Sequence, residues 1–115
     1  MRYSNRLVVD WLLQNIASIV WLRTHSKRKD FHYTKDSTTS QHDVFGLFDG
    51  AFIDRYGNVV WIQNKTNAWP AEKPLLDFLQ RKNIHAMALN CRRNGHGWEV
   101  KYRCYNYYIP KTINT

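Results

Sequence analysis

Two strand-like runs joined by a glycine-containing turn constrain this chain more than any other feature. Ala51-Phe52-Ile53 and Val59-Val60-Trp61-Ile62 flank Asp54-Arg55-Tyr56-Gly57-Asn58. Aromatic and β-branched residues fit a pleated, half-buried surface, and Gly57 can take the positive φ that a short hairpin loop needs. Val44-Phe45-Gly46-Leu47-Phe48 comes before them and reads as the start of the first strand. A hairpin is therefore expected over 44–54 and 58–65. If Asp54 faces Asn58 across a three-residue loop, counting back along both strands puts Asp49 opposite Gln63. Side chains alternate faces along a strand, and opposed residues share a face with Cβ atoms about 5 Å apart. Asp49, Gln63 and Lys65 then converge, with Asn64 on the other face.

The rest of the pattern is mixed. Leu7, Val8, Trp11, Leu12 and Ile16 recur at helical spacing, which predicts a helix over 4–17 capped by Ser4 or Asn5. Ile19-Val20-Trp21-Leu22 reads as a short buried strand. Residues 24–42 show no period, and the expectation there is a basic, flexible, functional loop. Pro70 and Pro74 fit only the first turn of a helix. Leu75, Phe78, Leu79 and Lys82 continue that helix, Asp77 is expected to pair with Arg81, and Asn83 suits its end. Ala86 to Cys91 reads as a strand and 92–97 as a turn. Trp98, Val100 and Tyr102 then alternate with Glu99, Lys101 and Arg103, a half-buried strand with one charged face. Helix, strand, hairpin, helix, hairpin is an α+β order, sandwich-like around a central mixed sheet. The 115 residues suit a single domain, 1–115.

Lys and Arg number 17 against 9 Asp and Glu, a formal charge of +8. That balance points to a polyanionic partner, nucleic acid first. The candidate phosphate contacts are Lys27, Arg28, Lys29 and Lys35 in the loop, Lys73 on the second helix, and Arg92 and Arg93 at a hairpin tip. In the loop Phe31, His32 and Tyr33 are interleaved with the cations, which suits a phosphate backbone with unstacked bases. His32, Tyr33 and Lys35 also form a weaker candidate for metal-free RNA cleavage. Cys91 and Cys104 fall in strand segments and read as packing thiols. Without a CxxC pair, a structural zinc site is not expected. Reduced thiols fit a cytoplasmic protein. No stretch reaches the ~20 apolar residues of a membrane span, and no signal peptide is visible.

The convergent trio has a chemical logic. Mg²⁺ (or Mn²⁺) takes oxygen ligands and usually one or two carboxylates. Asp49 offers a charged oxygen, Gln63 a neutral one, and the Asn64 backbone carbonyl can join. A bound metal would polarise a phosphodiester and acidify a water. Lys65 can position that water or stabilise developing negative charge. The bland alternative is a cross-strand Asp–Lys pair beside a solvated Gln, since polar strand faces are common.

Asp43-Val44-Phe45-Gly46-Leu47-Phe48-Asp49 followed by Val60-Trp61-Ile62-Gln63-Asn64-Lys65 resembles the active-site hairpin of the PD-(D/E)XK nuclease superfamily, in particular its Holliday-junction-resolvase-like branch. That family carries an Asp at the start of the hairpin and an acidic-x-Lys triplet on the returning strand. Its core order of helix, three strands, helix, strand matches the pattern from about residue 4 to residue 103. The resemblance implies a restriction-endonuclease-like core and a divalent-metal-dependent endonuclease hydrolysing DNA. It also implies branched DNA as substrate and a homodimer. Asp49 matches the metal-binding Asp and Lys65 the catalytic Lys. Gln63 departs from the family, which has Glu or Asp there, and removes one charge from the site. The alternative it raises is a nuclease-fold module that binds nucleic acid without cutting it. The family's helix acid has one counterpart here, Asp10, whose neighbours Val9 and Trp11 equally suit a solvent-facing position. Asp43 stands just before the hairpin, within reach of a metal or DNA, or as a turn residue.

Overall fold

The computed structural model describes residues 3–22, 30–33, 38–41 and 44–109. Helix α1 (Tyr3–Asn15) forms because Val8 and Leu12 recur one turn apart on one stripe, continued by Ile16, and all three are fully buried. Strand β1 (Ala17–Leu22) follows almost at once. The remaining elements are β2 (Asp30–Tyr33), β3 (Thr38–Gln41), β4 (Gly50–Asp54), β5 (Val59–Thr66), α2 (Glu72–Leu79), β6 (His85–Asn94) and β7 (Gly97–Tyr105). The class is α+β, as expected.

Five strands form one mixed sheet in the order β1-β4-β5-β6-β7. β5 and β6 run parallel and every other neighbouring pair is antiparallel. A parallel pair needs a crossover, and α2 supplies it. The helices cover opposite faces. On one, α1 packs with Phe52, Val60, Ile62, Met87 and Leu89. On the other, Leu75 and Leu79 of α2 pack with Ala86, Phe48 and Trp61. Strand alternation separates the sets, since Val60 and Ile62 face α1 while Trp61 between them faces α2.

The hairpin closes as its glycine predicts. The Asp54 N–H donates to the Asn58 carbonyl at 2.9 Å and Gly57 takes φ 90°. The pairs Ile53↔Val59, Phe52↔Val60, Ala51↔Trp61 and Gly50↔Ile62 follow. The ladder ends there, and Asp49, which sequence puts opposite Gln63, lies just outside it.

Elsewhere the structure corrects the sequence reading. Residues 44–48 are not strand but a tight turn closed by a Val44↔Phe48 bridge, with Phe45 at φ 56° and Gly46 at φ 72°. The expected loop over 24–42 is not structureless, because β2 and β3 pair antiparallel from Asp30↔Gln41 to Tyr33↔Thr38. Pro70 lies outside α2 and Pro74 within its first turn; the helix ends at Leu79 and Arg81 turns left-handed at φ 58°. Asp77 pairs with Lys73 at 2.9 Å, not with Arg81. The expected turn at 92–97 shrinks to Gly95-His96, between the paired residues Asn94 and Gly97. Gly95 has φ 62° at the position where a type II′ hairpin turn wants glycine. Past β7, Tyr107 is buried in the α1-side core while Tyr108 is 91% exposed. Cys91 in β6 is buried and Cys104 in β7 half-buried, and neither is in a disulfide. No described helix is long and apolar enough to cross a membrane.

Candidate functional site

The site forms where the β4 ladder ends and β5 runs on. Beyond Gly50↔Ile62 the chain bends at Asp49, whose N–H donates to the Ile62 carbonyl at 2.8 Å. The Asp49 carboxylate turns along the sheet edge, and Oδ2 accepts the Asn64 N–H at 2.7 Å. A side chain thus takes the place of the next ladder carbonyl, because the preceding carbonyl, of Phe48, is committed to the Val44 N–H at 2.8 Å. The N–H and C=O of one strand residue point to the same side, so the Asn64 carbonyl also opens toward Asp49.

The turn before Asp49 is strained. A bulky residue at positive φ costs of order 1–3 kcal/mol and persists only where its surroundings fix it. The Phe45 ring stacks on Phe78 at 5.8 Å and 23° and meets Trp61 edge-on at 5.9 Å. Those contacts with α2 and β5 hold the turn, and the turn aims Asp49.

Gln63 projects toward the α2 side of the sheet. It is 8% exposed, and its Oε1 has no hydrogen-bond partner. A buried acceptor left unmade costs roughly 1–3 kcal/mol, and the side-chain oxygens of Asn64 and Asn90 are buried without a partner as well. Lys65, on the same face two residues on, is exposed. Asn64 points the other way, where its Nδ2 donates to Asn5 Oδ1 of α1 at 3.1 Å. Its contribution on the Asp49 side is its backbone alone. The Asp49 carboxylate, the Gln63 Oε1 and the Asn64 carbonyl are hard oxygens that fit a small divalent cation such as Mg²⁺. They include only one charge, and among the described residues no group of three or more His, Cys, Asp or Glu is placed to hold a metal.

The other sequence candidates scatter. Asp10 is exposed on α1, with Arg6 3.8 Å away; Asn5 of the same helix reaches β5. Lys73 is engaged with Asp77 on the exposed side of α2. Arg92 and Arg93 lie on β6 itself, not at a hairpin tip, and are exposed. The Arg93 guanidinium sits over the Trp98 ring at 5.9 Å. Lys27, Arg28, Lys29, Lys35 and Asp43 lie outside the described residues.

Two residues escaped the sequence reading. Asn5 reads as a cap, and only the packing of α1 across the sheet brings it to Asn64. Asn90 is embedded in the apolar run Ala86-Met87-Ala88-Leu89-Asn90-Cys91. A lone amide inside a buried strand is a usable signal, since buried polar groups need partners. It is 2% exposed and its Oδ1 has no partner. It pairs in register with Lys65. No family model, curated protein or solved structure matches this chain.

Proposed function

We propose that the protein is a divalent-metal-dependent endonuclease acting on DNA, with its active centre at Asp49, Gln63 and Lys65. The observation that carries this reading is the end of the β4–β5 ladder. There the Asp49 carboxylate accepts the N–H of Asn64, and the residue before it on β5, Gln63, buries an Oε1 with no partner. The order α1, β1, β4, β5, α2, β6, with a helix on each face, supports a restriction-endonuclease-like core of the PD-(D/E)XK kind. β2 and β3 are then an insertion between the first two core strands, and β7 an added edge.

In this reading Asp49, Gln63 and the Asn64 carbonyl hold the metal. Bound Mg²⁺ or Mn²⁺ supplies charge stabilisation at the phosphodiester and a water of lowered pKa. Lys65 orients the attacking water and offsets the charge that develops on phosphate oxygens. Asp49 is kept in place by its own bond to β5 and by the strained turn behind it. A branched DNA substrate and a homodimer, with two sites for two symmetric cuts, belong to the same proposal.

The test is cleavage of branched and linear DNA with Mg²⁺ or Mn²⁺ by wild type, Asp49→Asn and Lys65→Ala. Each substitution is expected to lower the rate by at least about 100-fold, the scale of one lost electrostatic stabiliser. Cleavage without metal, or cleavage indifferent to both substitutions, would sink the assignment.

A second reading is favoured by one feature, the neutral amide where an acid would strengthen metal binding. In it the chain is a nucleic-acid-binding module that keeps the architecture without catalysis. Gln63→Glu separates the two. If wild type is inert and takes up no Mg²⁺ by calorimetry, while Gln63→Glu binds it, the binding module is correct; if wild type already cuts, it is not.

A further inference from the structure

The ladder registers extend the α2-side face past Gln63 and Lys65 to the far edge of the sheet. Gln63, Ala88 and Arg103 form one cross-strand row, and Lys65, Asn90 and Lys101 form the next. Neighbouring strands lie about 4.8 Å apart, so the Cα atoms of Lys65 and Lys101 are separated by roughly 10 Å. Between them lie the short, buried side chains of Ala88 and Asn90, each 2% exposed. Lys65, Lys101 and Arg103 are exposed on either flank. Among the described residues none of the three has a carboxylate at ion-pair distance. Arg103 is also oriented, because its guanidinium lies 4.0 Å from the Trp69 ring centroid, and stacking on an aromatic face pre-sets the planar fork that suits a phosphate.

Three cations around a floor of short side chains, with the Asp49 carboxylate at one end, complement a string of phosphates and not an isolated anion. We infer that Lys101 and Arg103 of β7 seat a nucleic-acid backbone phosphate next to the one that Asp49, Gln63 and Lys65 engage. Trp69 acts as the platform that fixes Arg103. This rests on the proposed location of the active centre. It also adds to the cations that sequence singled out a strand face fixed by register.

The experiment is fluorescence anisotropy with a labelled DNA duplex in EDTA, so that nothing is cut, at several salt concentrations between roughly 50 and 200 mM. Wild type is compared with Lys101→Gln, Arg103→Gln and the double variant. Arg6→Gln removes the same charge from the α1 side, and circular dichroism melts check that each variant folds. Each lost phosphate contact should flatten log K against log salt by about 0.9 on duplex DNA and about 0.7 on single-stranded RNA. The double variant should therefore lose about 1.8 on duplex, with Arg6→Gln unchanged. An RNA arm tells whether the seat serves one backbone or both. An unchanged slope in the double variant, or an equal loss in Arg6→Gln, overturns the seat. Metal-dependent cleavage by the same wild-type protein would then leave the nuclease reading standing. If the slope falls as expected but wild type cuts nothing with any metal, the seat stands and the nuclease reading falls. Failure to bind either nucleic acid overturns both.

Discussion

Asp54 is a charge the fold has taken out of water and then satisfied. It is 1% exposed, and its carboxylate accepts from the Tyr56 N–H and Asn58 N–H at 2.9 Å, Asn58 Nδ2 at 3.0 Å and the Tyr107 hydroxyl at 2.7 Å. Burial alone would raise its pKa, but the bonds from Asn58, Tyr107 and Tyr56 outweigh burial and hold it below the usual carboxylate value. The Tyr107 hydroxyl is pushed up in turn, by burial first and then by Asp54. A depressed native pKa stabilises the fold above the unfolded value of about 3.9 and loses that contribution as pH falls through the native value. Asp54→Ala is expected to cost about 3 kcal/mol at neutral pH, because it strands several buried donors, and Tyr107→Phe about 1 kcal/mol. Urea denaturation at neutral pH and again in acid checks both, with the Tyr107→Phe deficit narrowing in acid. Sequence shows Asp54 as a turn residue and nothing more. Its hydroxyl partner is 53 residues away, a distance no local pattern encodes.

At the scale of elements, Gly50 decides how β1 meets β4. A Cβ there would lie 2.0 Å from the Trp21 carbonyl oxygen and 2.9 Å from the Leu22 Cα, both backbone. Neither neighbour can swing aside as a side chain would. Gly50→Ala should force the strands apart at Leu22↔Gly50 and destabilise by roughly 2–3 kcal/mol, the upper range for overpacking. A lower urea midpoint with unchanged m would show it. Asp49 is adjacent, so metal affinity measured on the same variant should weaken as well. The hairpin was readable because Gly57 and strand alternation are local rules. The turn at 44–48 was not. Its composition is strand-like, and aromatic packing against α2 and β5 overrides that preference and puts Phe45 at positive φ. That override leaves Asp49 at the mouth of β4, off the strand where sequence placed it, with its N–H on Ile62 and its carboxylate on Asn64.

Across the whole molecule one sheet separates two cores. Ile16 belongs to the α1 side and Leu75 to the α2 side. The sheet stands between them, so their substitutions should act independently. Ile16→Val is expected to cost about 1 kcal/mol and Leu75→Ala about 3 kcal/mol. The double variant should equal their sum within about 0.5 kcal/mol by chemical denaturation. A large coupling would mean that the sheet transmits strain from one face to the other. The net charge of +8 belongs to this scale as well. On the proposed function it gives the sign of the partner and leaves the docking face open, because Lys101 and Arg103 become neighbours of Lys65 only through the parallel β5–β6 pairing.

Sequence by itself determined the α+β class, the amphipathic stripe of α1, and the β4–β5 hairpin with its register from Asp54 back to Gly50. Each follows from rules that act over a few residues: periodicity, a glycine turn, and alternation of faces. The tertiary structure alone decided that α1 and α2 lie on opposite faces and that Asn5 supports Asn64 from α1. It also decided that Asp10 faces solvent, that Asn90 and Gln63 carry unpartnered buried oxygens, and that β7 brings cations beside the candidate site. Those outcomes depend on strands joined by a crossover and on helices packed across a sheet, where the deciding contacts are between residues distant along the chain.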